Sequence, residues 1–114
     1  MAAALNPTRP LAITGSMYLS TATDAWQAYL TASDPLVRRE YYNIASTPTS
    51  IWLGGSSGDA AMVAGVVADA ASSGLVPQFV LYAMPGRDCG GLASGGLDSA
   101  VAYEQWVHGV VTAL

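Results

Sequence analysis

Two apolar runs, Ser50–Gly54 (SIWLG) and Gln78–Ala83 (QFVLYA), flank a stretch whose apolar residues recur at helical spacing. This order constrains the chain more than any other feature in it. A helix between two strands rules out a tight hairpin, so the connection crosses over and brings the second strand back parallel to the first. Ser57 or Asp59 opens the intervening helix. Met62, Val63, Val66, Val67 and Ala70 form its apolar face, and Gly74 and Pro77 close it.

The flanking segments extend the alternation. Met17-Tyr18-Leu19 predicts a short first strand. Thr23 or Asp24 can cap a helix carrying Trp26, Tyr29 and Leu30, and Asp34-Pro35 starts another, with an N-cap followed by proline at the first helical position. Val37, Tyr41 and Ile44 then recur at helical spacing until Thr47-Pro48. After the second apolar run, Asp98 or Ser99 caps a last helix striped by Tyr103, Trp106, Val107, Val110 and Leu114. The expectation is an α/β fold of about three parallel strands with flanking helices, and residues 1–114 read as a single domain without repeats or linkers.

Composition narrows the function. Apolar residues make up 52% of the 114 and charged residues 11%, a balance that belongs to a folded, strongly buried chain whose polar surface relies on Ser, Thr, Gly and Ala. Net charge is −4 and all four basic residues are arginine, so a nucleic-acid partner is not expected. No apolar run is long enough to cross a bilayer. The opening MAAALNPTRPLAITGS lacks the basic-then-apolar order of a secretory signal, so the chain as given reads as cytoplasmic. Cys89 stands alone, with no Cys or His at ligand spacing, which argues against a metal centre and a thiol nucleophile. His108, the single histidine, lies between apolar neighbours and reads as structural; a Ser-His-Asp triad cannot be assembled. No lysine follows the glycine-rich loop, so it does not fit a phosphate cradle.

Chemistry concentrates in Val80–Gly96, VLYAMPGRDCGGLASGG, where an apolar strand ends in closely spaced Tyr, Arg, Asp and Cys and runs into glycine-rich loop. The order Val-x-Tyr-x-x-Pro-x-Arg-Asp-Cys-Gly-x-x-Ala-Ser-x-Gly, without a gap, resembles the signature of glycoside hydrolase family 6, the inverting cellulases and cellobiohydrolases. The resemblance implies hydrolysis of β-1,4-glucan with inversion, no metal or organic cofactor, and a distorted (β/α) barrel of which this chain is the amino-terminal part. It assigns Tyr82 to the subsite where the sugar is cleaved. Asp88 matches an aspartate beside the general acid, Arg87 the arginine that holds the carboxylates, and Ser94 a serine on a mobile segment touching the same sugar or its attacking water. Trp52, in IASTPTSIWL, is similar to a tryptophan that stacks on a glucose on the non-reducing side; some members carry an acid where this chain has Gly54.

Each residue also has a plainer reading. Asp88 and Arg87 can form a surface ion pair that contributes little, Tyr82 and Trp52 can be core aromatics, and Ser94 an ordinary turn serine. By the same resemblance the general acid lies on the strand after the helix ending at Leu114, and neither Asp98 nor Glu104 matches it. The chain alone is therefore expected to be inactive. The alternative is a non-catalytic glucan-binding remnant or a decayed gene product. Family members are exported and pair the cysteine equivalent to Cys89 with one beyond the next strand, so an unpaired thiol is expected here. A complementary segment or self-association is expected to cover the open strand edge.

Overall fold

The structure, a computed structural model, describes residues 15–114. Helix α1 spans Asp24–Thr31, α2 Pro35–Ala45, strand β1 Ile51–Leu53, α3 Asp59–Ser72, β2 Phe79–Leu81 and α4 Ala100–Thr112, with a tight turn at Asp88–Gly90 between β2 and α4. β1 and β2 pair in parallel, Ile51 with Phe79, Trp52 with Val80 and Leu53 with Leu81. The expected β-α-β crossover is therefore present and forms the centre of the fold.

The expected first strand is reduced to a single parallel bridge, Met17 with Val76. Tyr18 N–H donates to the Val76 carbonyl, and Val76 N–H to that of Ser16. The ladder cannot lengthen, because the next carbonyl in phase, on Gln78, already accepts the N–H of Ile51 at 2.8 Å. Pro77, between them, has no N–H to offer. Among the described residues the sheet thus has two strands rather than about three. It shows the α/β order of the expected barrel but not its closure.

Local rules account for the helix ends. Thr23 Oγ1 accepts from Trp26 N–H, Asp34 Oδ1 from Leu36 and Val37 N–H ahead of Pro35, and Ser99 Oγ from Ala102 N–H. Each satisfies donors that a helix start leaves free. α3 ends at Gly74 in the left-handed region (φ +67°), with Leu75 N–H bonded to the Ala70 carbonyl and Gly74 N–H to that of Ala71. That is a Schellman closure, which favours glycine at this position.

The core lies between one face of the sheet and helices α3 and α4. Leu53, Val63 and Val110 are fully buried, with Ile51, Val67, Phe79, Leu81, Trp106 and Ala113 packed around them. Residues 51, 53, 79 and 81 share this face because side chains alternate along a strand. α1 packs on α2 through Tyr29 and Tyr42, whose ring centroids lie 5.3 Å apart, and Arg38 sits over the Tyr29 ring. Val37, Tyr41 and Ile44, expected as the apolar face of α2, are exposed, and so is Leu114 at the end of the α4 stripe. His108 is exposed as well: neighbours that are apolar in sequence point to other sides of a 3.6-residue turn, so the structural reading of this histidine does not hold.

Candidate functional site

The same alternation that sends Leu53 and Leu81 into the core sends Trp52, Val80 and Tyr82 to the opposite sheet face. Trp52 is 62% exposed there, and Val80 and Tyr82 are half-buried. Trp52 and Tyr82 meet edge to face, with ring centroids 5.3 Å apart and planes at 83°. Both lie at the carboxyl end of the parallel strands, where open α/β sheets present ligand sites.

Beyond Tyr82 the chain forms a closed loop. Arg87 and Gly95 pair as an antiparallel bridge, and Leu97 N–H returns to the Ala83 carbonyl at 2.9 Å. The Arg87 guanidinium lies 4.7 Å over the Tyr82 ring centre. Its Nε donates to the Ala93 carbonyl at 3.0 Å and Nη1 to the Tyr82 carbonyl. The described residues hold no ion pair between Arg87 and Asp88, whose only pair is Arg39–Glu40. Arg87 therefore braces the loop carrying Asp88 rather than Asp88 itself: its Nε and Nη1 meet two carbonyls and its plane lies on a ring face.

Asp88 is exposed, and its Oδ2 accepts the Ala93 N–H at 2.8 Å across the loop. Its carboxylate lies in the space a Cβ at Gly91 would enter, so a side chain there would displace it. Asp88 (φ +56°) and Cys89 (φ +41°) both adopt left-handed backbone that non-glycine residues rarely take. Ser94 is exposed beyond them, its N–H on the Gly91 carbonyl at 3.0 Å. Cys89 is exposed and free. The structure thus gathers Trp52, Tyr82 and Arg87 into one cluster and sets Asp88 and Ser94 on the loop above it.

Sequence reasoning missed what holds this rim. Asp59, expected as a helix opener, is buried, and its Oδ2 accepts from Gly55 N–H (3.0 Å), Ser56 N–H (2.8 Å) and Trp106 Nε1 (3.0 Å). Gly58 takes the N-cap place without a side-chain bond. A local pattern could hint at the bond to Ser56, three residues back; nothing local could reveal Trp106. A shallow depression of about 380 Å³ lined by Val101, Glu104, Gln105 and His108 shares no residue with the site. No group of three His, Cys, Asp or Glu among the described residues could hold a metal ion, and no described helix is long and apolar enough to cross a membrane.

The parallel α/β fold thus carries an edge-to-face aromatic pair beside a glycine-rich Arg-Asp loop. Residues 12–114 match the family described as Glycosyl hydrolases family 6, and the chain belongs to it. It is 36% identical over 104 residues to Endoglucanase A of Cellulomonas fimi, covering 85% of this chain and 22% of that protein. Exoglucanase 3 of Agaricus bisporus is 33% identical over 75 residues, covering 66% of this chain and 17% of its own. The solved endoglucanase of Mycobacterium tuberculosis, in complex with methyl-cellobiosyl-4-deoxy-4-thio-β-D-cellobioside, superimposes with a TM-score of 0.80 at 31% identity, covering 90% of this chain and 35% of that one. The chain therefore spans 22% and 17% of the length of the two curated relatives.

Proposed function

We propose that this chain supplies one wall of the cleft of an exported hydrolase that cleaves β-1,4-glucan with inversion. The observation that carries the reading is the open aromatic pair, Trp52 against Tyr82 at 5.3 Å, with Arg87 stacked beneath the loop. An exposed indole offers the apolar face a pyranose ring can cover, and the neighbouring Tyr82 ring and hydroxyl press on the next sugar toward a distorted ring form. Arg87 holds the loop so that Asp88 stands near the general acid, favouring its protonated form by like-charge proximity. Ser94 contacts the same sugar or its attacking water. No metal or organic cofactor enters the scheme.

Inversion also needs a protonated acid at the leaving oxygen. Asp59 is buried under three N–H donors, whereas Asp98 and Glu104 are exposed at the start of α4 and along it. By the family resemblance neither Asp98 nor Glu104 matches that acid. The 114-residue polypeptide by itself is thus proposed to bind glucan without cleaving it, and the exposed Trp52 favours that non-catalytic reading of the isolated chain. Its open face is the surface that a complementary segment carrying the acid, or a second copy, would cover.

The test is turnover of carboxymethyl-cellulose beside retention on insoluble cellulose. Retention without turnover is expected, since loss of a general acid alone typically costs about 10²- to 10⁴-fold. Hydrolysis that disappears in Asp88→Ala would show that the chain carries a complete acid-base pair; absence of retention would remove the glucan reading.

A further inference from the structure

Asp59 is the single buried charged residue among those described, and no described cation pairs with it. A buried carboxylate is tolerated only where donors replace its water. Here one oxygen collects three of them: Gly55 N–H, Ser56 N–H and Trp106 Nε1–H, all within 3.0 Å. The donors come from separate parts of the fold. Gly55 and Ser56 form the exit of β1, a few residues past Trp52, and Trp106 lies in the middle of α4.

The clamp reaches further through Gly55. At φ +94° this glycine turns its Cα toward the end of β2 and the return of the loop, such that a Cβ would lie 3.0 Å from the Ala83 Cβ and 3.3 Å from Leu97. Leu97 is in turn tied to the Ala83 carbonyl. Asp59 therefore fixes the exit of β1, next to Trp52, against the exit of β2, next to Tyr82, and locks both to α4. Helix capping alone would not need this arrangement, because the carboxylate faces back to the preceding loop while the N-cap itself is Gly58.

We infer that Asp59 is a positioning residue for the glucan site, setting the edge-to-face geometry of Trp52 and Tyr82 by holding the two strand exits and Trp106 on one carboxylate oxygen. The inference rests on the glucan reading for its functional consequence, but the clamp has readouts that do not. In the full chain, amide exchange at Gly55 and Ser56 should be slow and should accelerate about tenfold or more in Asp59→Ala, since hydrogen bonds to a charged group contribute roughly that factor each. The indole N–H resonance of Trp52 should move although residue 59 does not touch it, and NMR titration with cellotetraose should show about tenfold weaker binding by the folded molecules. Asp59→Asn, which keeps an acceptor oxygen, should restore most of the affinity, whereas a purely structural role would lower melting temperature and leave affinity unchanged. If Asp59→Ala does not fold, Trp106→Phe, which keeps a ring but removes the N–H, decides: faster exchange at Gly55 and a shifted Trp52 resonance support the clamp. Unchanged exchange and resonances in the folded variant, or unprotected Gly55 and Ser56 in the parent, would overturn it. A parent chain that shows the protected amides yet binds no cellotetraose would sink the glucan reading and leave the clamp supported.

Discussion

Replacing Gly96 by alanine separates the loop from the core as the source of order at the candidate site. Gly96 has φ +96°, and a Cβ there would run into the Met84 carbonyl oxygen while lying 2.8 Å from the Met84 carbon and 3.0 Å from the Ala83 oxygen. All of these are backbone atoms, so no rotamer change relieves the overlap. Left-handed backbone costs an L-residue about 1–2 kcal/mol. Moving the Met84 segment aside also sacrifices the Leu97 N–H to Ala83 carbonyl bond of 2.9 Å, with a net contribution of about 1 kcal/mol. Together, roughly 2–3 kcal/mol favours the open loop by about 30- to 150-fold. The assay is amide exchange at Leu97, with retention on cellulose measured in parallel. Gly54→Ala is the control, because nothing lies within 4 Å of its Cβ position and its effect should stay within about 0.5 kcal/mol. Equal Leu97 exchange in Gly96→Ala and the parent, or equal effects of the two substitutions, would refute the argument.

Leu53→Ala should destabilise the chain by about 2–5 kcal/mol in thermal or urea unfolding, because Leu53 is one of three fully buried large side chains; a loss under about 1 kcal/mol would place the core elsewhere. Trp52→Ala should change stability by less than about 1 kcal/mol, given an indole 62% exposed, yet abolish retention on cellulose; a variant that is still retained argues against stacking on Trp52. The phenol of Tyr18 is held above its usual pKa of 10.0, first by its hydrogen bond to Asp69, then by burial and by the Asp69 charge. A raised folded-state pKa means this contribution is complete below the unfolded value and fades as pH climbs through the folded one. Alkaline titration should therefore show one phenolate ionising late, and Tyr18→Phe should remove both that late step and part of the alkaline loss of stability. An unaltered titration would contradict the Tyr18–Asp69 contact.

Much of the fold was legible because its causes are local. Thr23, Asp34 and Ser99 cap helices through donors two or three residues away, and Gly74 closes α3 through left-handed backbone. The crossover between the two apolar runs followed from a helix standing between strands. The failures share a different cause. Met17-Tyr18-Leu19 has the composition of a strand, but its ladder stops at one bridge because the carbonyl of Gln78 is already committed to Ile51, a competition between distant segments. His108 and the apolar face of α2 were assigned by their neighbours, although exposure depends on what packs against each helix.

The site divides along the same line. The order Tyr82, Arg87, Asp88, Ser94 and the alternation that puts Trp52 opposite Leu53 are properties of the sequence, because the period of a strand is two wherever the strand lies. Which of these residues line a cleft is what the family resemblance proposes. Only the folded chain decided that the Arg87 fork closes on two carbonyls and a ring rather than on Asp88, and that Asp59 gathers Trp106 from 47 positions away. Those choices belong to tertiary structure because a hydrogen-bonding group takes the partner that burial brings within reach, and burial is settled by the whole chain at once.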